Sequence, residues 1–221
     1  TVERNPIEGG LRAFTFLQDN TSRGVVAIRG TDMLDRDGVS AQTDMCANRM
    51  LYGHLVLPNC DQIPPERLDY VARGIEFVQR VVETYPGVDW LLTGHSFGAR
   101  LAELVGAVHD KPVLAFAAGS VLPELGRRTG VDPTSISTWS KVALYNEWDP
   151  ALSMARGNLI GAECYWYMEP APEGCLTCYL GGRDADLQRF DCQVCFDNAH
   201  GPVQYEHLVE SRQRPACRPA G

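Results

Sequence analysis

The sequence predicts an α/β fold in which a mostly parallel central sheet is covered by helices on both faces. Short apolar stretches alternate with stretches of helical periodicity, and 221 residues are enough to bury one sizeable core. Strands that alternate with helices usually form a parallel sheet, because each helix returns the chain to the same end of the sheet. We expect one domain over residues 1–221.

The first part of the chain supplies two strands, a long connection and a helix. Apolar residues alternate over Leu11–Leu17, and Gly24–Gly30 is a more continuous apolar strand that ends in glycine. The segment Asp32–Pro64 has no clear periodicity, and we interpret it as a long surface excursion of the kind that is often functional. A helix is predicted between Pro64–Pro65 and Pro86–Gly87, with apolar residues at helical spacing.

The later part continues this alternation and then departs from it. Val88–Thr93, Lys111–Ala118 and Lys141–Tyr145 are predicted strands, and a helix with one apolar face follows the first of them. Ala162–Cys195 is rich in cysteine and glycine, which predicts a Cys-rich loop insertion, stapled by bridges, within the same domain. Arg212–Gly221 is expected to be an irregular tail that is tied down if its cysteine is bridged.

Composition and charge exclude several classes of function. Hydrophobic residues make up 44% of the chain and charged residues 22%, and the formal net charge is −8. No basic run could follow a phosphate backbone, so nucleic acid is not an expected partner. The longest apolar stretches are too short for a membrane-spanning helix. Because the chain begins at Thr1 and not at Met, we expect a processed chain.

Eight cysteines indicate an oxidising compartment, because an even number spread over loops is typical of disulfide bonding. The alternative is a zinc site. Cys175 with Cys178 and Cys192 with Cys195 form two Cys-x2-Cys pairs at a spacing close to that of a zinc ribbon. Disulfides are the preferred interpretation, because the other four cysteines would still need an explanation if these four bound zinc.

A Gly-x-Ser-x-Gly motif lies between a predicted strand and a predicted helix. Gly94 and Gly98 each stand two residues from Ser96, and in so tight a turn only small residues fit at those positions. This is the context of the nucleophile in an α/β-hydrolase, with the serine Oγ at a helix N-terminus where developing negative charge is favoured. The other interpretation is a glycine-rich turn with a buried serine, or a phosphate-binding turn.

A nucleophilic serine needs an imidazole base that a carboxylate orients, and in this fold both follow the serine along the chain. Asp149 is the preferred acid because it comes just after a predicted strand, whereas Asp132 lies in a polar loop. His200, on a predicted loop before a final short helix, is the preferred base, and His207 within that helix is the alternative. His95 is interpreted as a packed core residue.

An oxyanion hole requires two donors near the serine. The backbone N–H of Phe97, directly after the nucleophile, is the first candidate, and Thr31 at the end of an early strand is the second. The other interpretation of Gly30-Thr31 is an ordinary turn that ends a strand. This chemistry implies no cofactor and no metal.

Taken together, these motifs resemble those of the class 3 lipase family. The elbow appears as Gly94–Ala99, the strand with its oxyanion residue as Val25–Thr31, and the acid motif as Asp149-Pro150. The stretch from Cys60 to Arg127, and the cysteine-rich segment before His200-Gly201, are similar to the autophagic vacuolar lipase branch. Ala99 departs from the family pattern because it replaces a second elbow glycine, and Arg100 is an unusual charge at this position.

The resemblance implies a serine esterase or lipase that hydrolyses carboxylic esters of acyl lipids, triacylglycerol or phospholipid, through an acyl-enzyme. It implies a lipid or other ester as partner, contact with a membrane or lipid-droplet surface, and a secreted or lumenal location in the secretory or vacuolar system. The candidate lid is Asp32–Pro64, which lacks clear amphipathic character. The alternatives are an esterase for small or aromatic (feruloyl-type) esters, a catalytically silent lipase-like binding module, and a zinc-dependent binding domain.

Overall fold

The computed structural model describes residues 3–4, 10–32, 39–51, 60–150, 159–179 and 190–220. Within these residues, one sheet of eight strands has a spatial order that follows the chain. The strands are β1 (Glu3–Arg4), β2 (Ala13–Leu17), β3 (Arg23–Ile28), β4 (Asp89–His95), β5 (Val113–Phe116), β6 (Lys141–Asn146), β7 (Ala162–Trp166) and β8 (Ala216–Pro219). Strands β3 to β7 run parallel to one another, whereas the pairs β1–β2, β2–β3 and β7–β8 are antiparallel.

The helices of the described residues connect these strands. They are α1 (Val39–Leu51), α2 (Pro65–Leu68), α3 (Tyr70–Thr84), α4 (Phe97–Val108), α5 (Leu122–Thr129), α6 (Cys175–Tyr179), α7 (Phe190–His200) and α8 (Pro202–Glu210). The single helix predicted after Pro64 is two helices, because the Asp69 backbone leaves helical geometry and its carboxylate caps α3 by accepting the Ala72 N–H at 3.1 Å.

Apolar side chains cover both faces of the sheet, which confirms the predicted α/β architecture. On one face α3 and α4 pack over the larger core, which includes Val26, Leu92 and Ala115. On the other face Tyr205 and Leu208 of α8 pack against strand residues such as Leu144 and Trp166. Alternate residues of each strand enter the two cores because successive strand side chains point to opposite faces.

Three parts of the sequence interpretation are corrected. The Asp32–Pro64 segment, expected to be an aperiodic excursion, contains the 13-residue helix α1, with six of its side chains buried. The Ala162–Cys195 region contains a strand and two helices as well as loop. The Arg212–Gly221 tail contains β8, which pairs with β7. In each case side chains packed or bridged to distant residues stabilise an element that local periodicity does not reveal.

All eight cysteines form disulfides, as the composition predicted. The pairs are Cys46–Cys60, Cys164–Cys217, Cys175–Cys195 and Cys178–Cys192. The two Cys-x2-Cys motifs are cross-linked to each other between α6 and α7. Sulfurs bonded in this way have no thiolate to offer a zinc ion, so the zinc alternative is wrong for this oxidised chain.

Candidate active site

Ser96 occupies the sharp turn between β4 and α4. Its φ of 56° and ψ of −122° are strained for a residue with a side chain, at a typical cost of about 1–3 kcal/mol. The flanking glycines allow the turn: a Cβ on Gly94 would collide with the Gly98 carbonyl, and a Cβ on Gly98 would collide with the Ile28 carbonyl oxygen. Ser96 therefore lies at the carboxyl end of β4, where its side chain is half-buried and partly accessible to solvent.

The structure brings the predicted serine, histidine and aspartate together in one hydrogen-bonded chain. His200 Nε2 lies 2.8 Å from Ser96 Oγ, and His200 Nδ1 lies 2.9 Å and 3.1 Å from the two carboxylate oxygens of Asp149. Because an ionised carboxylate only accepts hydrogen bonds, Nδ1 carries the proton and Nε2 is left to accept from the serine hydroxyl. His200 is the last residue of α7, not part of a loop as expected.

Two residues that the sequence analysis did not name contact Asp149, the predicted acid. Asp149 is fully buried, and a buried carboxylate is costly unless donors surround it. Tyr205, five residues after the histidine on α8, donates its hydroxyl to Asp149. Asn146 accepts the Asp149 N–H on its backbone carbonyl at 3.1 Å, and its side-chain amide donates to the Ala199 carbonyl of α7. The turn that carries Asp149 and the helix that carries His200 are thus directly linked.

His95 contacts both the backbone and the ring of His200. Its Nε2 lies 2.6 Å from the His200 carbonyl oxygen, which can only accept, so this nitrogen carries a hydrogen. Burial lowers the pKa of His95 to about 4, with repulsion from His200 as a further cause, so its ring is neutral at ordinary pH. This agrees with the interpretation of His95 as a packed residue and adds a contact to His200.

The first predicted oxyanion residue lies in the turn that carries Ser96, and the second follows a glycine that is packed against this turn. Phe97 is the first residue of α4, so no earlier helical turn can accept its N–H. Gly30 approaches the elbow so closely that a Cβ there would lie 2.6 Å from the His95 carbonyl oxygen, and Thr31 follows directly. The strand end that carries Gly30 and Thr31 is thus packed against the turn that carries Ser96.

Asp44 of α1 is a further residue that sequence reasoning missed, since it lies in the segment that shows no period. Its carboxylate accepts the Asp32 N–H at 2.9 Å, the Arg29 guanidinium at 2.7 Å and the Tyr70 hydroxyl at 2.8 Å. Burial nevertheless raises the pKa of Asp44. Asp44 therefore ties α1 to both sides of the loop that carries Thr31.

The residues weighed as alternatives lie outside this arrangement. Asp132 is exposed and caps a short turn by accepting the Thr134 N–H at 2.9 Å, and His207 is exposed on α8. An apolar groove of about 450 Å³ lies at the opposite edge of the sheet, where β3 and β4 begin, and contains none of the site residues. Among the described residues, no group of three or more His, Cys, Asp and Glu side chains is arranged to hold a metal ion.

The known proteins whose sequences resemble this chain include proteins named as lipases. Two fungal proteins, each named "Putative lipase ATG15", match this chain: the one from Candida glabrata is 29% identical over 140 residues, and the one from Eremothecium gossypii is 26% identical over 137 residues. These matches cover 52% and 50% of this chain, but only 28% and 25% of the relatives. The chain thus spans about a quarter of the length of the curated relatives it matches. The predicted similarity to lipases is confirmed.

Solved structures with a similar chain course include a triacylglycerol lipase from Penicillium expansum (16% identity, TM-score 0.41, 75% of this chain and 68% of that chain). A lipase from Rhizopus microsporus var. chinensis has 13% identity and a TM-score of 0.41, with 70% of this chain and 56% of that chain covered. No family model matches the chain. Within the ranges described above, no helix is long and apolar enough to cross a membrane.

Proposed function

We propose that this chain is a serine esterase or lipase that hydrolyses carboxylic esters through an acyl-enzyme. The observation that carries the proposal is the continuous hydrogen-bond chain from Ser96 through His200 to Asp149. A serine hydroxyl is a weak nucleophile, and this arrangement supplies the imidazole base that it needs and the carboxylate that orients this imidazole. The lipase names of the curated relatives agree with it.

In the proposed reaction, Ser96 Oγ attacks the ester carbonyl while His200 Nε2 takes the hydroxyl proton. Asp149 keeps the imidazole in the correct tautomer and stabilises the imidazolium. The N–H groups of Phe97 and Thr31 donate to the oxyanion of the tetrahedral intermediate. His200 then protonates the departing alcohol, which leaves an acyl group on the serine. Water attacks the acyl group with the same histidine as base, and the carboxylic acid is released.

We propose acyl lipids, either triacylglycerol or phospholipid, as the substrate class, met at a membrane or lipid-droplet surface. The curated relatives' names support lipid. The four disulfides support a secreted or lumenal location.

The test is hydrolysis of p-nitrophenyl esters from acetate to palmitate by the parent chain and by Ser96→Ala and His200→Ala variants. Activity that rises with chain length and is lost in both variants is the expected result. Labelling by an organophosphonate, which reacts with an activated serine, should occur in the parent and fail in Ser96→Ala. Activity that survives Ser96→Ala would refute the assignment of the nucleophile.

Two other outcomes would favour the alternatives. Activity confined to short or aromatic esters, including feruloyl esters, would move the substrate class away from acyl lipid while leaving the mechanism intact. A folded chain that neither hydrolyses any ester nor reacts with the phosphonate would indicate a silent lipase-like binding module, because its serine would then lack activation.

A further inference from the structure

The turn between β2 and β3 carries the single Asn-x-Ser/Thr triplet of the sequence, Asn20-Thr21-Ser22. This triplet is the acceptor pattern for N-glycosylation, provided that the middle residue is not proline and the segment lies at the surface of a secreted protein. From the exposure of this turn and the disulfides of the chain, we infer that Asn20 is an N-glycosylation site. The inference rests on the proposed lumenal or secreted location.

The fold leaves this turn open to a glycan. Residues 18–22 are exposed throughout, and Asn20 has a φ of 59°, a left-handed conformation that asparagine tolerates better than most residues. The turn is closed by the Gln18 N–H, which donates to the Arg23 carbonyl at 3.1 Å, and by the Thr21 hydroxyl, which donates to the Gln18 carbonyl at 3.1 Å. These contacts use the flanking residues, so a sugar on Asn20 does not require the turn to unfold.

The modification joins Asn20 Nδ2 to the anomeric carbon of an oligosaccharide. The donor class is an oligosaccharide on a polyprenyl pyrophosphate: the bond between its anomeric carbon and the pyrophosphate oxygen breaks, the pyrophosphate carrier leaves, and Nδ2 gives up one proton. The glycan would project from the end of the sheet remote from Ser96. The six residues of β3 separate the two by roughly 20 Å, at about 3.3 Å per strand residue.

The test is secretion of the full chain from a eukaryotic host behind that host's own signal, with and without peptide N-glycosidase. The parent should lose the mass of one glycan on digestion, and Asn20→Gln and Ser22→Ala should be secreted without it. Thr21→Ala is the matched control: it removes the neighbouring hydroxyl but keeps the triplet, so its glycan should remain. A parent that is secreted with its disulfides formed but unmodified would overturn the inference, as would a glycan that persists in Ser22→Ala. Ester hydrolysis should be equal with and without the glycan.

A second inference concerns the two disulfides between α6 and α7, and it rests on the proposed function. Cys175–Cys195 and Cys178–Cys192 join α6 to α7 side by side, and we call these two disulfides the rungs. The two cysteines on each helix are three residues apart, and all four are buried. They pack in one cluster with Ala199, which directly precedes the proposed base, and with Trp148, which directly precedes the proposed acid. The geometry points to this pair of rungs as the element that positions the base against the acid.

Contacts on both sides support this role. Cys195 Sγ lies 3.6 Å from the Trp148 carbonyl oxygen, and the Tyr179 hydroxyl of α6 donates to the same oxygen at 3.4 Å. At the end of α7 the Phe196 ring stacks on the His200 ring with centroids 4.3 Å apart. Release of Cys195 would therefore loosen the acid-bearing turn and the helix end at the same time.

The test compares two double variants. Cys175→Ala/Cys195→Ala removes the rung nearer the site, and Cys164→Ala/Cys217→Ala removes the bridge between β7 and β8 as a matched control. For the first we expect kcat to fall by about tenfold to a hundredfold with little change in KM, because a misplaced catalytic group slows the chemical step more than it weakens binding. The dependence of kcat on pH should shift as well. The control should keep the parent's kcat and pH profile.

Equal kcat values and pH profiles in the parent and both variants would overturn this inference while leaving the esterase proposal standing. A parent without ester hydrolysis would refute both. If circular dichroism shows that the first variant does not fold, Cys178→Ala/Cys192→Ala is tested in its place, because it removes the rung farther from His200. The dependence of its kcat on pH should then shift relative to that of the parent.

Discussion

Glu103 of α4 should make the stability of this chain fall as pH rises, and Glu103→Gln should abolish that effect. The side chain is fully buried, and neither carboxyl oxygen has a hydrogen-bond partner among the described residues. Burial raises the pKa of Glu103 to about 8, although the charges of Arg100 and Lys141 act to lower it. A carboxyl in such surroundings is more stable as the neutral acid.

The size of the effect follows from proton binding. Below its ordinary pKa of 4.5 the carboxyl is protonated in both the folded and the unfolded chain, so the full stability is present. Between pH 4.5 and about 8 only the folded chain holds the proton, and the free energy of unfolding falls by about 1.4 kcal/mol per pH unit. At pH 7 the loss is about 3 kcal/mol, and above pH 8 it changes no further.

Urea unfolding of the parent and Glu103→Gln, followed by tryptophan fluorescence at several pH values from 4 to 9, measures this difference directly. Titrating groups that do not interact with Glu103 are shared by the two proteins, so their effects cancel; Lys141, whose pKa burial lowers and the charge of Glu103 raises, is the coupled group. Glu103→Gln should gain about 3 kcal/mol relative to the parent between pH 4 and pH 7. Glu76→Gln, at an exposed position on α3, is the matched control and should gain nothing. A difference between parent and Glu103→Gln that stays constant with pH would refute the reasoning.

Three further predictions concern the site. Ser96→Gly should be more stable than Ser96→Ala by about 1 kcal/mol in thermal unfolding, because glycine adopts the positive φ without strain; equal melting temperatures would contradict this. Tyr205→Phe should lose about 1–3 kcal/mol in urea unfolding and shift the pH profile of kcat, because buried Asp149 loses a donor; an unchanged profile would count against that contact. Asp44→Asn should lower kcat more than it raises KM in steady-state hydrolysis, because the loop carrying Thr31 is loosened; a pure KM effect would exclude this role.

The parts of the fold that the sequence predicted are those in which local pattern and tertiary structure agree. The β4–α4 unit has an apolar strand, a tight glycine turn and a helix with an apolar face, so periodicity and turn chemistry both specify it. The residues proposed for the triad could be chosen in advance for a related reason. Placement after a strand favoured Asp149 over Asp132, and chain order left His200 and His207, of which His200 was preferred for its position before the final short helix while His207 stayed open.

The parts that were missed depend on contacts between distant residues. Helix α1 buries Asp44 and Thr43 beside small apolar groups, so its inner face is too polar to show a hydrophobic period. The inner face of α7 is made largely of bridged cysteines, and their pairing cannot be deduced from spacing. Strand β8 is exposed throughout and is placed by backbone pairing with β7 and by Cys217, neither of which leaves an apolar pattern in the sequence.

The strand order has a consequence for biogenesis. Because each strand lies beside its neighbours in the chain, the sheet can grow one strand at a time during synthesis, with no later strand inserted between earlier ones. Ser96 is synthesised more than a hundred residues before His200, to which it is hydrogen-bonded. His200 also follows all four cysteines of the two rungs between α6 and α7. The hydrogen bond between Ser96 and His200 can therefore form only after α7 has been synthesised, so the proposed site is completed after strands β1 to β7 of the sheet.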